Sequence, residues 1–110
     1  MEGKFSKHDE MKLQDLGGGS TRRILAWNDQ LMTVEVGFET GSVGKAHTHP
    51  HVQASYVLSG KFNYTVDGET VEMNPGDSIV VPSGLVHSTV CLEAGKLLDI
   101  FTPYREDFVK

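Results

Sequence analysis

The chain has 110 residues, a formal net charge of −5 and a single cysteine. This length suits one domain with an ordinary hydrophobic core, and the lone cysteine excludes an internal disulfide framework. The basic residues are dispersed, so the positive patch typical of nucleic-acid-binding domains is missing. We therefore expect no nucleic-acid partner. We also expect no membrane partner, because no apolar run approaches the length of a membrane span. The charged N-terminus does not resemble a signal peptide, so the expected location is the cytoplasm.

Residues 1–20 are predicted to form an N-terminal arm that precedes a single β-barrel domain over residues 21–110. The first sixteen residues are polar and of mixed charge, and the sequence Gly-Gly-Gly-Ser at 17–20 then interrupts any regular pattern. Such an arm can lie across a partner subunit or remain a mobile terminus. The sequence leaves both alternatives open.

Short apolar or alternating segments follow the arm, which is typical of an all-β domain. Between Leu31 and Phe38, apolar side chains alternate with Thr33, Glu35 and Gly37, the period of a half-buried strand. The segments are separated by Gly, Pro, Asn and Asp, and the Asp-Gly pair at 67–68 predicts a hairpin turn. The predicted strands are 22–27, 31–38, 53–59, 62–66, 70–73, 78–81, 86–92 and 97–102. No segment has a convincing helical period, so we predict an all-β jelly roll of two antiparallel sheets.

Two separated blocks of the sequence carry candidate metal ligands. In the first block, His47, His49 and Gln53 point to the same face of an extended strand, because side chains repeat every two residues. His87 closes the second block, and the two blocks can meet only if the chain folds back on itself. Imidazole nitrogens and an amide oxygen suit a first-row divalent metal. Histidines on strands also serve as hydrogen-bonded core or surface groups, and this is the alternative.

The spacing within both blocks resembles the signature of the cupin family. The first block reads G-x5-H-x-H-x3-Q-x6-G over residues 41–60, and the second reads G-x5-P-x-G-x2-H over residues 76–87. The resemblance extends over residues 31–102. Two positions depart from the family pattern, since Gln53 stands where Glu is usual and Cys91 stands where Asn usually ends the second block.

The cupin resemblance implies a double-stranded β-helix barrel with one metal site. The implied ligands are His47, His49, Gln53 and His87, and the expected ion is a divalent transition metal such as nickel, zinc, iron, manganese or cobalt. Because Gln53 replaces a carboxylate, every protein ligand is neutral and the ion keeps its full charge. This favours Lewis-acid chemistry over redox chemistry.

The C-terminal strand carries a further candidate group. Asp99 lies between Leu98 and Ile100, where a carboxyl group is costly to bury unless it is paired or lies in a functional cavity. Phe101 shares its face of the strand, and Arg105 lies just beyond the strand end. The structural alternative is an Asp99–Arg105 ion pair with Phe101 as core filling.

This tail and the first block resemble the small pectin-degradation cupins of the KdgF type. Those proteins open the ring of 4,5-unsaturated monouronates from pectin or alginate. The resemblance implies an isomerase-type enzyme with a small anionic sugar as substrate, and it leads us to expect a homodimer. Asp99 would move a proton, Arg105 would hold the substrate carboxylate by a two-point contact, and Phe101 would form an apolar wall. The alternatives are a metal-dependent dioxygenase and a non-catalytic sugar-binding barrel.

Neighbouring residues are left outside the predicted site. Pro50 should interrupt the strand and turn His51 toward the barrel mouth as a rim residue. Lys45 is interpreted as a solvated group at a strand edge. Tyr64 can either bond a ligand or pack, and Cys91 has the parity to lie near the metal but is more typical of a small buried apolar residue.

Overall fold

The computed structural model describes residues 3–110, and eight antiparallel strands dominate this part of the chain. The prediction of an all-β fold is confirmed. A short 3-10 turn at His8–Glu10 and a single helical turn, α1 at Glu106–Val109, flank the strands. The strands are β1 Leu13–Gly17, β2 Ser20–Trp27, β3 Met32–Phe38, β4 Val43–His47, β5 Val52–Val66, β6 Glu69–Met73, β7 Ser78–Val81 and β8 His87–Thr102.

Two long strands, β5 and β8, run antiparallel to each other along the whole barrel. The pairing of Val52 with Thr102 marks one end of this ladder, and the pairing of Val66 with His87 marks the other. At the first end the ladder is flanked by β7 and by β3, β2 and β1, and at the second end by β6 and β4. The two predicted sheets are thus one continuous eight-stranded sheet that folds back on itself through its shared strands.

The predicted breaks at residues 60–61 and 93–96 are bends within continuous strands. At the bend, a Cβ on Gly60 would lie 2.5 Å from the Glu93 carbonyl oxygen, and one on Gly95 would lie 2.1 Å from the Ser59 carbonyl oxygen. Gly60 also has a φ of 84°, which other residues rarely adopt. Glycine therefore lets the two backbones cross closely here without ending either strand. The predicted strands 53–59 and 62–66 are both part of β5, and the predicted strands 86–92 and 97–102 are both part of β8.

Part of the predicted N-terminal arm belongs to the sheet. The strand β1 forms a hairpin with β2, in which Leu13 pairs with Arg23 and Gly17 pairs with Ser20. Sequence reasoning missed β1 because it is an edge strand whose residues are mostly exposed, which leaves no apolar alternation to detect. The first two residues of the predicted arm lie outside the described residues.

The core consists of two adjoining clusters inside the barrel. The smaller contains Met32, Val34 and Phe101. In the larger, Phe62 is fully buried and packs edge to face on Phe38, with ring centroids 5.4 Å apart. The remaining buried members of the larger cluster are Val57, Tyr64, Met73, Val81, Cys91 and Leu97. Within residues 3–110, no helix is long and apolar enough to cross a membrane.

Candidate functional site

Three histidines from separate elements converge at one end of the barrel. His47 ends β4 and pairs with His87, which begins β8, while His49 lies in the loop before β5. One nitrogen from each ring lies within 4.8 Å of the other two. The N–H of Gly84 donates to the His49 carbonyl at 3.0 Å, which ties the loop of the first block to the loop of the second. Backbone pairing thus joins the two sequence blocks, as their spacing predicts.

Backbone carbonyls set the orientation and tautomer of all three rings. The Nδ1 atoms of His47, His49 and His87 lie 2.9, 3.1 and 3.0 Å from the carbonyl oxygens of Lys45, His51 and Leu85. A carbonyl can only accept, so each Nδ1 carries the hydrogen and donates it. Each Nε2 then keeps its lone pair, which is the arrangement a metal-ligating histidine requires.

Two features of the cluster fit a divalent cation. The His87 Nε2 atom is buried and has no hydrogen-bond partner among the described residues. The His49 Nε2 atom lies 2.9 Å from the Gln53 side-chain oxygen, so two lone pairs face each other. A cation satisfies both features, whereas a hydrogen bond between two acceptors does not. Burial also lowers the pKa of His49 and of His87, which favours the neutral, ligating form.

The second half of the Gln53 amide is held in place by other side chains. Its NH₂ group donates to the Ser55 hydroxyl at 3.1 Å and to the Tyr64 hydroxyl at 3.2 Å. These contacts direct the amide oxygen toward His49. The Ser55 and Tyr64 hydroxyls therefore accept hydrogen bonds from the Gln53 amide. A glutamate at this position, which is usual in the family, has no N–H group to donate to them.

His51 turns away from the cluster, as the proline before it predicts. The strand β4 ends at His47 and β5 begins at Val52, so Pro50 lies in the interruption between them. The His51 Nε2 atom donates to the Tyr104 carbonyl at 3.0 Å. His51 therefore anchors the C-terminal segment to the barrel. Its ring packs edge to face on that of His49, with centroids 5.5 Å apart, but its nitrogens are not part of the three-histidine cluster.

A cavity of about 230 Å³ opens beside the histidine cluster. Its lining includes Tyr64 and Leu97 of the larger core cluster and Phe38, which packs against that cluster, so the core supports the site directly. Of the seven predicted site residues, six line this cavity: His47, Gln53, His87, Asp99, Phe101 and Arg105. His49 is 8% exposed and lies behind the wall, where its ring is 4.8 Å from that of His87.

Asp99 lies in a polar network within the cavity. Its Oδ1 atom accepts a hydrogen bond of 2.6 Å from the Ser55 hydroxyl, which lies 3.1 Å from the Tyr64 hydroxyl. Burial raises the pKa of Asp99 to about 6, although the hydrogen bond from Ser55 acts in the opposite direction. Burial, together with the charge of Asp99, raises the pKa of Tyr64, so its hydroxyl keeps its proton. Asp99 can thus exchange a proton near neutral pH, whereas Tyr64 acts as a fixed dipole.

Arg105 does not pair with Asp99, so the structural alternative from the sequence is not observed. Its Nε and Nη2 atoms instead donate to the two carboxylate oxygens of Asp107, at 3.0 and 2.9 Å. The guanidinium lies over the rings of Phe101 and Phe108, at 5.0 and 4.2 Å from their centroids. Arg105 therefore lies at the cavity wall with its two-point contact already made to Asp107.

Sequence reasoning missed four residues that shape the site: Arg22, Ser55, Asp107 and Phe108. A signal existed for two of them. Ser55 shares the strand parity of Gln53, and Arg22 shares that of Ile24, so each is a polar residue at an inward-facing position. Phe108 and Asp107 lie in α1, from which Phe108 reaches the cavity and Asp107 engages Arg105. Lys45 is exposed and does not line the cavity.

Comparison with known proteins is consistent with this geometry. The cupin domain family model matches residues 33–101. The pectin degradation protein KdgF of Dickeya dadantii (strain 3937) is 39% identical over 103 residues, which cover 92% of this chain and 94% of that protein. The solved structure of KdgF from Halomonas sp. has a TM-score of 0.92 and 38% identity, covering 97% of this chain and 99% of the other. An RmlC-like cupin from Shewanella frigidimarina NCIMB 400 has a TM-score of 0.92 and 42% identity, covering 94% of each chain.

The family match covers both histidine blocks and the strands that join them, and the similarity to KdgF proteins extends over almost the whole chain. The chain therefore belongs to the cupin domain family and, within it, is a relative of the KdgF proteins.

Proposed function

We propose that this cupin is a metal-dependent enzyme of pectin or alginate breakdown that opens the ring of 4,5-unsaturated monouronates. The observation that carries the proposal is that one cavity is lined by two histidines of the cluster and by Asp99, a carboxyl group whose pKa is raised to about 6. The similarity to a pectin degradation protein over 92% of the chain supports the same substrate class.

The proposed reaction is an isomerisation in which no atoms are gained or lost. The C1 hydroxyl of the cyclic uronate loses its proton and becomes an aldehyde, while the bond from C1 to the ring oxygen breaks. The ring oxygen stays on C5, so an enol results. The enol becomes a ketone when C4 takes up a proton and the oxygen loses one. The reaction therefore needs a group that can both accept and donate a proton.

Asp99 is suited to this proton transfer. A carboxyl group with a pKa of about 6 is present in both protonation states near neutral pH. The hydrogen bond from Ser55 fixes one carboxyl oxygen, which orients the other for exchange with a bound sugar. A divalent transition metal held by His47, His49, Gln53 and His87 would supply Lewis acidity that polarises a sugar oxygen.

Phe101 and Arg105 complete the proposed site. Phe101 is 2% exposed and offers an apolar face beside the sugar ring. The Arg105 guanidinium contributes positive charge at the cavity wall, which favours an acidic sugar over a neutral one. To make the predicted two-point contact, Arg105 must exchange the Asp107 carboxylate for that of the substrate.

The test is to mix metal-loaded protein with unsaturated galacturonate and to follow the ultraviolet absorbance of its conjugated double bond. We expect faster loss of absorbance than in buffer, and we expect a chelator to abolish the acceleration. Decay at the buffer rate would refute ring opening. Oxygen consumption by iron-loaded protein would then support the dioxygenase alternative.

A variant series tests the role of Asp99 in the same assay. Asp99→Ala should lower the turnover rate by a factor of about 10² to 10⁴, the usual contribution of a proton-transfer group, and leave the metal content unchanged. Asp29→Asn, in an exposed loop, is the matched control and should retain wild-type turnover. Full activity in Asp99→Ala would exclude this residue as the proton carrier. The homodimer, the cytoplasmic location and the lack of a nucleic-acid or membrane partner remain predictions from the sequence.

A further inference from the structure

The strand β2 brings a second guanidinium to the cavity, on Arg22. The register pairs Arg22 with Val36, and both residues line the cavity wall. The Arg22 Nε atom donates to the Gln14 side-chain oxygen at 2.8 Å, and the guanidinium carbon lies 4.0 Å from the centroid of the Phe108 ring. The contacts with β1 and α1 therefore hold the planar group from two sides.

The two cavity arginines differ in what their donors contact. The Nε and Nη2 atoms of Arg105 are both engaged by Asp107. Within residues 3–110, no acceptor lies within hydrogen-bond distance of either terminal nitrogen of Arg22, and no carboxylate forms an ion pair with it. Arg22 thus presents unengaged, positively charged donors to the cavity without rearrangement of any other contact.

The surroundings of Arg22 make an anion favourable at this point. The guanidinium is partly buried beside apolar residues. Burial and the nearby charge of Arg105 lower the pKa of Arg22, although the charge of Asp107, which is paired with Arg105, acts in the opposite direction. A partly buried cation near a like charge is stabilised by an anion that can accept two hydrogen bonds. A carboxylate matches the guanidinium fork in both charge and geometry.

We propose that Arg22 is the residue that anchors the substrate carboxylate and selects acidic sugars over neutral ones. This inference rests on the function proposed above and deepens it, because it assigns the carboxylate of a uronate to a named position in the cavity. Phe108 acts as a positioning residue, since its ring supports the guanidinium plane. In this arrangement Arg22, not Arg105, makes the two-point contact with the substrate carboxylate, and Arg105 keeps its contact with Asp107.

The test compares the binding of galacturonate and of galactose by isothermal titration calorimetry with metal-loaded protein. Galacturonate lacks the 4,5 double bond, so its binding is measured apart from turnover. Arg22→Gln should weaken galacturonate binding about 10- to 100-fold, the effect of losing a charge-assisted two-point contact, and leave galactose binding unchanged. Arg22→Lys should keep part of the affinity, because it keeps the charge but loses the fork.

Arg23→Gln is the matched control, since Arg23 is the next residue of β2, does not line the cavity and donates to the His8 carbonyl. It should bind galacturonate as the wild type does. Circular dichroism melting of each variant shows whether the fold is intact, and Arg22→Met, which keeps the packing stem without the charge, replaces Arg22→Gln if the latter unfolds. The inference would be overturned if the folded Arg22→Gln or Arg22→Met variant bound galacturonate as tightly as the wild type does. It would also be overturned if the wild type bound galactose as tightly as galacturonate.

The turnover assay separates this inference from the proposed function. If the wild type opens unsaturated galacturonate and Arg22→Gln does so with an unchanged KM, the proposed function stands and the Arg22 anchor is wrong. If the wild type has no turnover but Arg22→Gln selectively loses galacturonate binding, the anchor stands and ring opening is wrong.

Discussion

Replacing Asp99 with Asn should stabilise the metal-free protein at neutral pH. The carboxyl group is buried, and this raises its pKa from an ordinary value of 3.8 to about 6. Folding therefore favours the protonated form, and the charged form that prevails at pH 7 destabilises the fold. Asparagine resembles the protonated acid in shape and can still accept the hydrogen bond from Ser55.

The expected size of the effect follows from the difference between the two pKa values. One pKa unit corresponds to about 1.4 kcal/mol, so the rise from 3.8 to about 6 corresponds to about 3 kcal/mol at pH 7. The sign follows from proton binding, because between these pH values the folded state holds more protons than the unfolded state. The stability contributed by Asp99 is thus fully present below pH 3.8 and is lost as pH rises to about 6.

The free energy of unfolding can be measured by urea unfolding of chelator-treated protein at several pH values between about 3.5 and 7.5. This range of about four pH units includes the expected transition. The difference between wild type and Asp99→Asn isolates Asp99, since most other titrating groups are common to both proteins. We expect a gain of about 2 to 3 kcal/mol for the variant at neutral pH and almost none at the acidic end. The exposed variant Asp29→Asn should change stability by less than about 0.5 kcal/mol.

Two results would refute this reasoning. If Asp99→Asn is less stable than wild type at pH 7, hydrogen bonds stabilise the carboxylate by more than burial destabilises it. If the difference between the two proteins is the same at every pH, it does not come from the titration of Asp99. Either result would also weaken the case for Asp99 as a group that exchanges protons near neutral pH.

Three further predictions concern the metal cluster and the barrel. His87→Ala should lower the affinity for zinc or nickel at least about tenfold in a calorimetric titration, whereas His51→Ala should bind as wild type does; equal affinity in both variants would argue against the cluster. Zinc at about 100 times its dissociation constant should raise the free energy of unfolding of the wild type in urea by about 2.7 kcal/mol, and a chelator should reverse this gain. No change in stability would mean that zinc does not bind preferentially to the folded state. Gly95→Ala should destabilise the barrel by more than about 3 kcal/mol or prevent folding, since its Cβ would lie 2.1 Å from the Ser59 carbonyl oxygen. A chemical denaturation midpoint like that of wild type would contradict that distance.

Local patterns in the chain were sufficient to predict most of the fold. The alternation across β3 and the Asp-Gly hairpin between β5 and β6 each depend on a few neighbouring residues, so they can be detected without a structure. The exposed edge strand β1 has no such alternation. The bends at Gly60 and Gly95 were predicted as strand ends, because a glycine that ends a strand and one that lets two backbones cross have the same local sequence.

The amino-acid sequence by itself determined which donor types are present and at what spacing, since the parity of His47 and Gln53 is a property of an extended chain. Only the tertiary structure decided which of these groups have free lone pairs or free donors. The hydrogen bond from Ser55 to Asp99 depends on the pairing of β5 with β8, and the convergence of His47 with His87 depends on the pairing of β4 with β8. The placement of Arg22 against Phe108 likewise requires the C-terminal turn to pack against β2, whereas the engagement of Arg105 by Asp107 is local to that turn. The contacts of Ser55 with Asp99 and of Arg22 with Phe108 join residues far apart in the chain, so no local pattern records them.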